Sequence, residues 1–165
     1  MKKYITILIL TLSVKCFSQN INSSVKLNDS ITISASVSKF IASNHKLDTC
    51  DTGLGWKTIC LIDNENWFGS DVGLNLPKYK LDKLTIQIAD LKIDLQTNKM
   101  FNPNFSGVIS IKQFKLTKTE TGYTLYAFFS DGAGGYTAHW EIIKGIAFRN
   151  VLSKDEGSYY WQQTK

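Results

Sequence analysis

The stretch Tyr136-Thr137-Ala138-His139-Trp140-Glu141-Ile142-Ile143-Lys144-Gly145-Ile146-Ala147-Phe148-Arg149-Asn150-Val151-Leu152 places apolar side chains at every second position on both sides of a Lys-Gly pair. Period-two alternation is the signature of a strand with one buried face. The segment therefore reads as a hairpin, with arms Tyr136–Ile142 and Ile146–Leu152 around Ile143-Lys144-Gly145. A three-residue loop ending on a left-handed glycine is a common closure. In that register Ile142 faces Ile146 and Trp140 faces Phe148. A two-residue loop would set Trp140 against Arg149 and mix polar with apolar on both faces, so the three-residue loop is expected.

Working outward, the same period recurs. Ile31, Ile33, Ala35 and Val37 alternate with Thr32, Ser34, Ser36 and Ser38, a half-buried strand. Trp56–Ile62 is a short strand-like run. Leu84, Ile86 and Ile88 alternate, and the phase then slips to Leu91, Ile93 and Leu95. Such a slip at Ala89-Asp90 marks a bulge or a tight turn; a helix over Tyr79–Ile88 is the alternative. Val108–Lys118 and Tyr123–Ser130 flank Thr119-Glu120-Thr121-Gly122 as a second hairpin, with a bulge expected near Lys112-Gln113. Gln19–Ser30 is polar and reads as loosely held. Many short strands and no long 3.6-period segment predict an all-β domain: a single antiparallel β-sandwich or barrel-like fold built from hairpins.

The N-terminus carries a different pattern. Met1-Lys2-Lys3 is followed by the apolar run Tyr4–Val14 and by Cys16-Phe17-Ser18 with small residues at its ends. This is the order of a secretory signal peptide, and the run is too short for a spanning helix, which needs roughly 20 residues. Residues 1–18 are expected to be cleaved, leaving one domain over 19–165 with no transmembrane segment. A lipoprotein anchored at Cys16 is the rival, and Lys15 before it fits that processing poorly. Export predicts a secreted or periplasmic location. It also predicts a disulfide between Cys50 and Cys60, the two cysteines left after cleavage.

Cleavage changes the charge balance. Lys+Arg number 19 and Asp+Glu 14; without Lys2, Lys3 and Lys15 the balance is 16 against 14, a net +2. That offers little electrostatic reason to expect a nucleic-acid partner. Eight lysines lie between Lys78 and Lys118 against Asp82, Asp90 and Asp94. They read as a solvated sheet face, with an anionic-ligand patch as the alternative.

No metal or cofactor motif is present: there is no phosphate loop, dinucleotide fingerprint, nucleophile elbow or His-Glu-x-x-His helix. In the expected hairpin register His139, Glu141 and Arg149 share one face. That group could hold a carboxylate or a peptide terminus, or serve acid–base chemistry. Arg149 is the only arginine, which points to a need for its planar fork. The glycine-rich run Asp131-Gly132-Ala133-Gly134-Gly135 joins two arms and, through Asp131, Gly134 and Gly135, offers close backbone approach to a ligand. His45 reads as a solvated loop residue. The tail Ser158-Tyr159-Tyr160-Trp161 is expected to pack back or to form an exposed aromatic patch. Together these features predict an exported binding module without a cofactor, inhibitor- or immunity-like, recognising a protein or a cell-envelope component. A small secreted hydrolase using His139 and Glu141, or a barrel-type ligand carrier, are the alternatives.

Overall fold

Period-two apolar patterning places one row of each strand in the interior, and the computed structural model shows where those rows meet. It describes residues 20–70, 73–129 and 134–155. The expected leader, Asp131 and the aromatic tail lie outside these residues. The described chain is all-β. It forms strands β1 (Ile21–Asn28), β2 (Ile31–Lys39), β3 (Leu47–Asp51), β4 (Lys57–Ile62) and β5 (Tyr79–Ile88). These are followed by β6 (Leu91–Leu95), β7 (Phe114–Lys118), β8 (Gly122–Phe129), β9 (Tyr136–Ile143) and β10 (Ile146–Ser153). All pairings between these strands are antiparallel. One four-stranded sheet runs β1-β2-β5-β6, a second runs β10-β9-β8-β7, and β3-β4 form a separate ribbon.

The alternation of β2 is realised in full: Ile31, Ile33, Ala35 and Val37 are buried while Thr32, Ser34, Ser36 and Ser38 are half-buried. They join Leu84, Ile86, Ile93 and Leu95 of the first sheet and Leu125, Phe129, Trp140 and Ile142 of the second in one core. Burying side chains of this size contributes about 1.5–3 kcal/mol each. A smaller cluster of Ile62, Trp67 and Phe101, backed by Phe40, Leu47 and Ile59, supports the ribbon. Among the described residues no helix is long and apolar enough to cross a membrane.

Several expectations need correction. The Gln19–Ser30 segment was expected to be loose, but its residues 21–28 form β1, because Ile21, Val25 and Leu27 pack against the main core. Tyr79–Ile88 is the expected strand and not the alternative helix, and Ala89-Asp90 is the expected tight turn, with Ala89 at φ 52°. Near Lys112 the chain makes a single 3-10 turn, Ile111–Gln113, and β7 begins only at Phe114. There Gln113 donates to the Pro103 and Phe128 carbonyls at 2.7 and 3.3 Å.

The main correction is the hairpin register. Ile143 pairs with Ile146, so the loop is Lys144-Gly145 and Trp140 stands opposite Arg149. Both loop residues have positive φ, 49° and 81°. Two left-handed residues make the turn whose twist matches that of antiparallel strands. The face mixing that argued against this register is limited by a register shift between Arg149 and Val151 and by the edge position of β10.

Tyr136 anchors the end of the second sheet. It is fully buried, and its hydroxyl donates to the Phe101 carbonyl at 2.9 Å; burial holds its pKa well above the ordinary tyrosine value. A Tyr136→Phe substitution leaves that carbonyl without this donor and is expected to cost about 1–3 kcal/mol. Chemical denaturation with an unchanged m-value checks this; unchanged stability would contradict the role given to the hydroxyl.

Candidate functional site

The two-residue loop dissolves the expected group of three. His139 and Glu141 remain on one face of β9, and Arg149 projects to the other. Glu141 accepts a hydrogen bond from Asn150 Nδ2 at 2.9 Å. His139 stands opposite Tyr126 on β8, their rings in edge contact with centroids 4.6 Å apart.

Arg149 reaches the connection after β6 instead. Its Nη1 donates to the Gln96 and Asn98 carbonyls at 3.2 and 2.9 Å, and its Nη2 donates to Asn98 Oδ1 at 2.9 Å. Its backbone N–H donates to Gln96 Oε1 at 2.7 Å, and the Trp140 indole donates to the same Gln96 carbonyl at 3.2 Å. Partial burial lowers the guanidinium pKa from its ordinary value. The planar fork is used, and what it grips is this chain's own backbone.

Gly134 and Gly135, the described glycines of the 131–135 run, also meet the protein itself. A Cβ on Gly134 would lie 2.6 Å from Ser70 Cα, and one on Gly135 would lie 2.9 Å from the Phe128 ring. Gly134 was expected to allow close approach to a ligand; what it approaches in the structure is the backbone at Ser70.

The ribbon β3-β4 presents a different kind of site. Cys50 and Cys60 form a disulfide with Cα atoms 5.7 Å apart. Asp48 pairs with Leu61 and Thr49 with Ile59, so Cys60 is the extra residue of a bulge. Beyond the bridge, the tip is tied to itself. Thr52 Oγ1 and Thr52 N–H both donate to the Trp56 carbonyl, at 2.8 and 3.2 Å, and Gly53 N–H donates to Asp51 Oδ1 at 2.8 Å. Gly53 and Gly55 sit at φ 73° and 88°, conformations that glycine adopts without strain.

This frame holds Leu54 68% exposed and Trp56 47% exposed. Ile59 of β4 donates to the Gly73 carbonyl at 2.8 Å, and the loop that starts there carries exposed Leu74 and Leu76. Leu54 and Trp56 are thus large apolar side chains held in solvent by a braced loop. The signal was present in the sequence, as a leucine and a tryptophan around glycines inside a short cysteine loop.

His45, read as solvated, is held instead. Its side chain is only 14% exposed. Its Nδ1 donates to Asp63 Oδ2 at 2.7 Å, and its ring stacks on Phe40 with centroids 4.6 Å apart. Asp63 also accepts from Lys46 N–H at 2.9 Å. The histidine bond, and then the backbone bond, hold the Asp63 carboxyl below its ordinary pKa. No protein-family model, curated protein or solved structure matches the chain. The site is therefore read from its own chemistry.

Replacing Arg149 by Lys keeps the charge and loses the fork, leaving the carbonyls of Gln96 and Asn98 short of donors. The expected cost is about 1–2 kcal/mol of stability, read as a lower Tm in a thermal melt. A wild-type Tm in Arg149→Lys would contradict the clamp.

Proposed function

We propose that the chain is an exported interaction module without catalysis, a two-sheet sandwich that docks on a protein partner through the tip of its β3-β4 ribbon. The observation that carries this reading is the exposure of Leu54 and Trp56 on a loop stiffened by the Cys50–Cys60 bridge and by its own hydrogen bonds. Tryptophan is among the residues that dominate binding energy in protein interfaces. A loop already fixed in its bound shape loses little entropy on docking. The natural counterpart is an apolar pocket that takes the two side chains, which is an inhibitor-like mode of contact.

Location belongs to the same proposal. A disulfide is compatible with an oxidising compartment, and a leader over residues 1–18 would deliver the chain to the periplasm or the medium. The carrier alternative has less support, because Trp140, Tyr136 and Phe129 fill the space against Ile33, Leu84 and Ile86.

The test is affinity capture from the native extracellular or envelope fraction with the mature domain, followed by affinity measurement on the protein recovered. Leu54→Ser with Trp56→Ser is expected to weaken binding at least about 30-fold, corresponding to about 2 kcal/mol. The thermal melt should stay unchanged, since both side chains are exposed. Full affinity in the double variant would rule out the tip as the contact.

A further inference from the structure

The outer face of the first sheet carries a second feature, independent of the ribbon. Antiparallel pairing sets Asn22 beside Ser36 and Lys83, Ser24 beside Ser34, Thr85 and Asp94, and Lys26 beside Thr32, Gln87 and Lys92. Side chains opposite one another in a ladder share a face. These rows therefore form one continuous polar surface of hydroxyls, amides and lysines.

Two shallow clefts lie on that surface. Ser36 pairs with Lys83 and Val37 with Leu81, which makes Asp82 the extra residue of a bulge in β5, and a bulge bends its strand. Thr85, at the centre, is only 4% exposed although it belongs to the outer row. A cleft of about 470 Å³ lies over it, lined by Asn22, Ser34, Ser36, Lys83, Thr85 and Lys92. A second cleft of about 390 Å³ lies further along β2, lined by Ser38, Lys39, Lys80, Asp82, Asn44 and His45. From Thr32 to Ser38 the strand spans roughly 20 Å.

The charges along this groove are unequal. Lys26, Lys39, Lys80, Lys83 and Lys92 stand against Asp82, Asp94 and, at the His45 end, Asp63. Lys83 contacts Asp94 at 3.1 Å, with both side chains more than half exposed. Such a pair is worth under about 1 kcal/mol, so the ammonium can turn to a ligand. Lys92 forms no ion pair among the described residues. At the far end the Asp63 bond fixes the His45 ring through Nδ1, and no described group bonds to its Nε2.

We infer that this groove binds a chain of acidic sugars, an anionic polysaccharide, with the lysines meeting its carboxylates or sulfates and the Ser, Thr and Asn side chains meeting its hydroxyls. Competing polymers fit less well. Single-stranded nucleic acid needs aromatic platforms for its bases, and the two rings lining the groove, Phe40 and His45, are stacked on each other, with Phe40 also against Phe101. An extended peptide binds by adding to a free sheet edge or by filling apolar pockets, whereas the groove is polar and centres on β2 and β5, the two strands of this sheet that are paired on both sides. Attraction between lysines and a charged polymer falls as salt screens it.

The test uses the mature protein with polygalacturonate as probe, with dextran as the neutral control and single-stranded DNA as the other polyanion, at 50 and 500 mM NaCl. Expected are binding to polygalacturonate that weakens at least tenfold at high salt, and none to dextran. Lys83→Glu with Lys92→Glu should weaken it a further tenfold or more, while Leu54→Ser with Trp56→Ser leaves it unchanged. Amide shifts on titration should map to Ser34, Ser36, Ser38 and Thr85, with the His45 ring signals moving; this reading needs no variant to fold. Equal binding of DNA would overturn the sugar assignment. No binding of polygalacturonate, or shifts confined to β9 and β10, would overturn the site. None of these outcomes bears on the ribbon tip, which is tested by its own partner.

Discussion

The burial of one face of β1-β2-β5-β6 against one face of β10-β9-β8-β7 is the constraint from which the other features follow. Each sheet alone would expose a row of isoleucine, leucine and aromatic side chains, and two sheets that share a core remove both rows from water. Inward rows are thereby committed to packing. What remains for recognition is the outer faces, the edges and whatever projects beyond them.

Where the β6 and β10 edges approach, the packing is completed by polar contacts. Trp140 and Arg149 both bond the Gln96 carbonyl, and Arg149 adds the two oxygens of Asn98. An arginine on an inward position of an edge strand keeps its stem against the core and its head at the rim. The same fork chemistry that recognises carboxylates in other settings here satisfies backbone carbonyls. The ribbon stands apart from this closure, on its own small core of Ile62, Trp67 and Phe101. Its disulfide and glycine-bearing tip therefore present Leu54 and Trp56 without exposing any part of the main core. The groove on the first sheet and the tip of the ribbon use different elements, so the two proposed contacts share no residue.

Elements whose faces are decided by local alternation were legible in the sequence. β2 and the paired run Leu84–Leu95 follow directly from period two, and so does the all-β character. The β9-β10 register was not legible, because it turns on whether Lys144 adopts a left-handed conformation, which side-chain patterning does not report. That one residue of register moved Arg149 away from His139 and Glu141. His45 was misread for another reason: its carboxylate partner is 18 positions away and is brought close by the fold. β1 was overlooked because its outward residues are Asn, Ser and Lys and its inward ones are only half-buried. The lysine-rich reading of the 78–118 region did contain Lys80, Lys83 and Lys92, yet the hydroxyls beside them come from β1 and β2 and converge only by pairing.

The packing of the two sheets is tested most directly by nuclear Overhauser effects in a uniformly labelled sample of the mature domain. Shared burial predicts cross-peaks linking methyl groups of Ile33, Leu84 and Ile86 to side chains of Leu125, Phe129 and Trp140, and strong exchange protection of the amides between them. Methyl cross-peaks confined within each sheet, with both inward rows open to solvent exchange, would contradict a common core.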